Sequence, residues 1–374
     1  MKILILSVTA GEGHNSTARA MRSCFIESGA QCDILDTYGY VSPAIAHSIN
    51  KGYLFVSSRA KEAYRIGYRL AEKRHAGGDA EFSAIQLTNL PVAHEIGAYI
   101  RRNAPDAVLF THPFAGLILD ILKKQGRLTV PTVGVLTDFI FHPFWEDCTS
   151  CSYVVMPSSA LRFQAYRKGF ADEQLLSFGI PISPKFAHSI PKEEARASLG
   201  LDPAAKTVLL MGGSMGYGHM TDTVRALDAI PEPEPLQLIA VCGNNARAKR
   251  QMDALHARHR LLVFGFTDQV DVLMDASDCI VTKPGGLTTS EALAKRLPMV
   301  IVDPIPGQET RNTEFLLNSG AAAAANKVCG ADELVWRILN EPGRLDAMRA
   351  CITPLSHPES SRDVCRFVLG LGAQ

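Results

Sequence analysis

No run of apolar residues in this chain of 374 approaches the length needed to cross a bilayer. Met1–Val8 has the look of a targeting segment, but it is short and leads straight into Gly11-Glu12-Gly13-His14 rather than a cleavage site. It reads as a buried first strand. The protein is therefore expected in the cytoplasm, attached at most to a membrane surface. Net charge is missing as well, because 38 Lys and Arg balance 38 Asp and Glu. Global electrostatics gives no support for nucleic acid as a partner, and attraction to an anionic surface has to come from a local patch. Paired cysteines are missing too. Cys24, Cys32, Cys148, Cys151, Cys242, Cys279, Cys329, Cys351 and Cys365 form an odd, scattered set unlike a secreted disulfide framework. Cys148-Thr149-Ser150-Cys151 is a single CxxC with no further ligands at zinc spacing, so free thiols are expected and no metal. Two common phosphate fingerprints are also absent. Gly11-Glu12-Gly13 is followed by Ser16 where a dinucleotide fold places its third glycine, and no Gly-Lys-Ser/Thr occurs.

What is present is a globular composition, 47% apolar, at a length that suits two domains. Short runs rich in Ile, Val and Leu alternate with helix-length segments: Lys2–Val8, Cys32–Leu35, Ala107–Thr111, Thr132–Thr137 and Tyr153–Met156. That alternation predicts βαβ units and a parallel sheet. Phe178–Pro184 breaks the pattern with two prolines and reads as a hinge. The pattern then restarts with Thr207–Met211, Leu236–Val241, Leu261–Phe264, Cys279–Thr282 and Met299–Val302, with a short strand at Ala321–Ala325. The fold class expected is α/β, with two doubly wound Rossmann-like domains facing a cleft. Residues 1–180 form the first domain and 185–352 the second. Residues 353–374 hold a last helix that packs back on the first domain. In such folds ligands bind at the carboxyl ends of the strands.

Four turns stand at those ends. In the first, Gly11 and Gly13 let a ligand approach the main chain, and His14 opens a helix whose dipole disfavours its protonated form. A neutral imidazole there is suited to take a proton from a hydroxyl. The second is Met211-Gly212-Gly213-Ser214, whose amides and hydroxyl suit a diphosphate. The third, Lys283-Pro284-Gly285-Gly286-Leu287-Thr288-Thr289, opens a helix with free N–H groups for an anion, and Glu291 lies one turn in, placed to accept ribose hydroxyls. The fourth groups Gln308, Glu309 and Asn312, side chains able to read several sugar hydroxyls. Asp275 and Asp278 read as a solvated helix face and a cap rather than a metal pair.

These elements, in this order, resemble the GT-B glycosyltransferases that build bacterial and plastid glycolipids. The similarity is to monogalactosyldiacylglycerol synthases and processive diacylglycerol glucosyltransferases, with the peptidoglycan N-acetylglucosaminyltransferase more distant. It runs from Leu4 to about Leu317 and includes Gly11–His14, Thr111-His112-Pro113-Phe114, Thr137-Asp138, His142-Pro143-Phe144-Trp145, Gly265-Phe266, Thr282–Glu291 and Pro306–Asn312. Two departures leave the donor and acceptor open: Gly11-Glu12-Gly13 stands for a run of three glycines, and the phosphate turn reads Lys-Pro-Gly-Gly.

The resemblance implies inverting transfer from a UDP-sugar, UDP-glucose or UDP-galactose, to a diacylglycerol-type lipid. It implies no metal and no cofactor, since fixed amides and a helix dipole can hold the leaving diphosphate. It makes His14 and Asp138 the proton-handling residues, and His112, His142 and Trp145 the acceptor side. Gly13, Gly213, Ser214, Gly265, Phe266, Lys283, Gly285, Gly286, Leu287, Thr288, Glu291, Gln308, Glu309 and Asn312 become the donor side.

A lipid acceptor requires an entry surface. Residues 49–74 carry seven basic residues against two acidic ones, a net +5, beside an apolar stripe of Ile49, Tyr53, Val56, Ala60 and Tyr64. This segment is expected to meet an anionic membrane at the inner face of the cell membrane. The competing readings are a UDP-sugar enzyme with a non-lipid acceptor and a nucleotide-sugar-binding regulator without turnover.

Overall fold

The computed structural model describes residues 1–9, 12–43, 47, 65–66, 84–213, 219–231 and 236–372. They fall into two compact units. The first is Met1–Pro184 with Ile305–Gln308 and Glu359–Gln374, and the second is Lys185–Pro304 with Glu309–Pro358.

The first unit is built on six parallel strands: β1 (Lys2–Ser7), β2 (Gln31–Asp36), β3 (Ala107–Phe110), β4 (Thr132–Val135), β5 (Tyr153–Val155) and β6 (Leu175–Leu176). Their order is β2-β1-β3-β4-β5-β6. Ile3, Ile5, Leu109, Val133 and Val135 are almost wholly buried, which is why these strands read as unbroken apolar runs rather than alternating ones. The first helix, Glu12–Glu27, buries Met21, Cys24 and Phe25 in a cluster with Val364, Cys365 and Val368 of the Ser360–Leu371 helix. Strand β6 escapes sequence reading because two residues leave no period to detect.

The second unit carries β7 (Lys206–Met211), β8 (Leu236–Val241), β9 (Arg260–Phe264), β10 (Cys279–Thr282), β11 (Met299–Ile301) and β12 (Ala322–Ala324) in the order β12-β11-β10-β7-β8-β9. The chain thus winds one way from β7 and then returns past it to β10. In each sheet the winding reverses, between β1 and β3 in the first and between β7 and β10 in the second. Loops leaving two neighbouring strands in opposite directions open a crevice at that point.

Asp275 and Asp278 are not solvated. Asp278 accepts from Lys192 at 2.5 Å, from Arg196 at 2.6 Å and from the amide of Thr207 at 2.8 Å. Asp275 accepts from Lys295 at 2.7 Å and from the amide of Ile190 at 3.2 Å. Their charges fasten the segment after the hinge onto the second unit, where removing one partner would strand a buried charge.

Candidate active site

In the first unit the turn after β1 is pinned on both sides. Thr9 donates its amide and its hydroxyl to Asp36 at the end of β2, and Ser7 donates to Asn15 Oδ1 at 2.6 Å. Ala10 and Gly11 lie outside the described residues. Gly13 is helical, and a side chain there would meet open space, so its use is close approach rather than unusual backbone.

His14 stands in the first helical turn with Nδ1 2.7 Å from the carbonyl oxygen of Thr111, directly after β3. A carbonyl only accepts, so Nδ1 carries the hydrogen and Nε2 holds the lone pair of the neutral ring. The bond crosses the point where the winding of the first sheet reverses. Burial lowers the pKa of His14, opposed by the charge of Asp138 and by the bond to Thr111. The ring is therefore a neutral base at physiological pH, with a carboxylate near enough to steady the cation it becomes.

His112 and His142 show a different use of the same side chain. Each starts a His-Pro-Phe run and caps the helix that follows: His112 Nδ1 accepts from the amide of Phe114 at 3.1 Å, and His142 Nδ1 from that of Phe144 at 3.3 Å. Proline at the first helical position needs no partner for an N–H it lacks. With Nδ1 occupied as an acceptor, the hydrogen of each neutral ring sits on Nε2, which makes both rings donors. Burial, reinforced by His14 and other neighbouring positive groups, pushes His112 well below its usual pKa and His142 down to about 4. The His112 ring meets His14 edge-on at 4.6 Å.

Trp145, expected on the acceptor side, is a core residue. Its ring stacks on Phe110 at 5.4 Å and is 3% exposed. A methyl group on Gly134 of β4 would sit 2.6 Å from it, so the missing side chain at 134 is what gives the indole its space. The CxxC thiols are buried as well. Burial raises Cys148 and pushes Cys151 up to about 12, which leaves both inert as nucleophiles.

In the second unit β10 runs into Lys283-Pro284-Gly285, and Gly285 precedes the Gly286–Ala294 helix. The helical ladder begins with Thr289 donating to Gly285, so the amides of Gly286, Leu287 and Thr288 lie ahead of it and are presented to an anion. A Cβ on Gly285 would meet nothing within 4 Å, so its face is open. Among the described residues the buried Thr289 hydroxyl has no hydrogen-bond partner. Lys283 lies 3.6 Å from Glu309.

Glu291 differs from the ionised acceptor expected of it. Burial, opposed by Lys185 and reinforced by Asp271, pushes its carboxyl up to about 8. A carboxyl held protonated at neutral pH is able both to donate and to accept. Asn312 differs too. It is fully buried and donates to the carbonyl of Pro284 at 2.9 Å, so it braces the phosphate turn instead of reaching a sugar. Gln308 and Glu309 open the same helix, Gln308–Asn318, and are partly exposed. Gly213 has φ of +76°, a conformation that demands glycine, while Ser214 lies outside the described residues. Gly265 and Phe266 follow β9, and the Phe266 ring is 73% exposed. Nothing along the chain singles out His219. Its amide donates to Asp303 at 3.1 Å, and Asp303 holds a left-handed φ of +46°. Both line a hollow with Met211 and Lys283 at the reversal point of the second sheet.

Residues 14–182 match the family model of monogalactosyldiacylglycerol (MGDG) synthase, and residues 191–350 that of glycosyl transferases group 1. The processive diacylglycerol beta-glucosyltransferase of Bacillus pumilus (strain SAFR-032) is 28% identical over 372 residues, 98% of this chain and 94% of the relative. That of Bacillus subtilis (strain 168) is 27% identical over the same length and coverage. The first half of the chain is thus similar to the monogalactosyldiacylglycerol synthase model, the second half to the glycosyl transferases group 1 model, and nearly the whole chain to the diacylglycerol glucosyltransferases. The crystal structure of MurG from Acinetobacter baumannii shares the fold, with a TM-score of 0.65 at 16% identity over 99% of this chain and 100% of that one. The protein is a glycosyltransferase, and its two Rossmann-like units have the GT-B fold. Among its described residues no helix is long and apolar enough to cross a membrane, and no group of three or more His, Cys, Asp or Glu is arranged to hold a metal ion.

Proposed function

We propose that this glycosyltransferase moves glucose or galactose, with inversion, from a UDP-sugar to the free hydroxyl of diacylglycerol. The observation that carries the reading is the hydrogen bond from His14 Nδ1 to the Thr111 carbonyl, which leaves Nε2 as the proton acceptor. Nε2 takes the hydroxyl proton as the acceptor oxygen bonds to the anomeric carbon. The bond from that carbon to the diphosphate oxygen breaks, and UDP leaves with the electron pair. The amides of Gly286, Leu287 and Thr288, the dipole of their helix and the Lys283 ammonium suit the charge that develops on it. Gly265 and Phe266 suit uracil, Glu291 the ribose, and Gln308 and Glu309 the sugar. Because these donors are fixed parts of the protein, the scheme calls for no metal and no cofactor.

The test is a screen of UDP-glucose and UDP-galactose against diacylglycerol vesicles, with and without a chelator. Lipid-dependent release of UDP that survives chelation is expected. Donor binding without turnover on any lipid would leave a regulator instead, and activity that returns only with added metal would overturn the metal-free step.

The support for a peripheral place at the inner face of the cell membrane is the net +5 of residues 49–74, nearly all of which lie outside the described residues. Each basic residue near an anionic leaflet contributes about 1 kcal/mol, enough together for reversible attachment. Wild type is expected to co-sediment with anionic vesicles at low salt and to release at high salt. A variant with Arg65, Arg69 and Lys73 all changed to Glu should stay in solution. Equal sedimentation of the two proteins rules the segment out as the contact.

A further inference from the structure

We propose that Thr137 is a positioning residue that works through His14, completing a forked acceptor for the Nδ1 hydrogen so that Nε2 becomes the stronger base. The inference rests on His14 being the base. Thr137 follows β4 as Thr111 follows β3, and these strands are neighbours in the sheet. The two residues therefore reach the same ring nitrogen. Thr137 Oγ1 lies 3.1 Å from His14 Nδ1, beside the Thr111 carbonyl at 2.7 Å. One N–H with two acceptors is a three-centre bond. Because the carbonyl has no hydrogen to give, the threonine hydroxyl accepts from the ring and turns its own hydrogen elsewhere.

The consequence is chemical. The Nδ1 hydrogen is present before and after Nε2 takes up a proton, but it is more acidic on the imidazolium. Acceptors held there favour the protonated ring over the neutral one. The arrangement matters because the rest of the surroundings works the other way. His14 is desolvated, and His112 and His142 face it from the turns after β3 and β4. Asp138 is the charged group that favours its protonation. Neither His112 nor His142 has this arrangement, since their Nδ1 atoms are spent accepting from Phe114 and Phe144. Of the three rings, the fork singles out His14.

The experiment compares Thr137→Val, which keeps the shape but not the acceptor, with Thr137→Ser, which keeps the hydroxyl. Each is assayed for kcat, for the donor KM and for kcat/KM between about pH 5 and pH 9, where histidine titrates. Both changes are also made in a His14→Ala background, with folding checked by circular dichroism. Thr137→Val should lower kcat about 10-fold, the size of one lost hydrogen bond, with the donor KM unchanged. Its acid limb should move to lower pH, because losing an acceptor lowers the pKa of His14. Thr137→Ser should restore most of the rate, and neither change should matter once His14 is alanine. A Thr137→Val enzyme with the wild-type rate, or with the same loss in both backgrounds, overturns the role of Thr137 while leaving that of His14. Near-normal turnover in His14→Ala alone sinks the base assignment and Thr137 with it.

Discussion

A His14→Ala protein is expected to lose about 100-fold or more in turnover, the usual effect of removing a general base, while its affinity for UDP survives. Three observations make this the largest expected effect. The ring is fixed by the Thr111 carbonyl at 2.7 Å, so its Nε2 lone pair does not have to be won from a competing tautomer. Burial holds it neutral, and the nearby rings of His112 and His142 are committed as caps and cannot replace it. The groups assigned to UDP belong to a different part of the chain, around Lys283–Glu291, so calorimetry with UDP should see little change. Alanine suits the first turn of a helix, which keeps the fold from being the cause of the loss. In wild type the acid limb of the rate profile should lie below pH 6.5, since the pKa of His14 is lowered from that value. Near-normal turnover in a folded variant would show that His14 is not the base.

The second large effect is expected on the donor. Glu291→Ala and Gln308→Ala should each weaken UDP-sugar binding by about 1–3 kcal/mol, the cost of leaving a polar ligand group unpaired, with little change in the acceptor KM. Unchanged donor affinity in both variants, measured by calorimetry, would remove these residues from the donor site. Glu291→Gln separates charge from hydrogen bonding. Because the carboxyl is protonated below about 8, the neutral amide should retain most of the affinity at pH 7. The same residue gives stability a pH slope of known sign. Its pKa rises from 4.5 unfolded to about 8 folded, so the folded chain holds a proton that the unfolded chain has released. Stability from this group is full below about pH 4.5 and is lost as pH rises towards 8. Glu291→Gln should flatten that slope in the thermal midpoint, and an unchanged slope would show that the carboxyl is ionised throughout.

The sequence by itself determined the two parallel sheets, because strands buried on both faces must be short, unbroken and rich in Ile, Val and Leu, and that pattern is local. It also placed His14 soon after β1 and Gly285 soon after β10, because that order is local. It left the division of labour inside the turns undecided. Three histidines look alike in sequence, and what separates His14 from His112 and His142 is whether Nδ1 faces a carbonyl or an amide. The deciding partners, Thr111 and Thr137, lie 97 and 123 residues from His14. Trp145 appeared to be a contact residue until the absent side chain of Gly134 made room for it in the core. Asn312 stood with the sugar readers until its amide met the Pro284 carbonyl, 28 residues away. Glu291 is a carboxyl whose charge state depends on what is packed around it, and Asp275 and Asp278 meet partners at Ile190 and Lys192, 85 and 86 residues away. Backbone pattern is a property of neighbouring residues and is written along the chain. Tautomer, protonation and burial are properties of groups that meet through space, and only the tertiary structure brings them together.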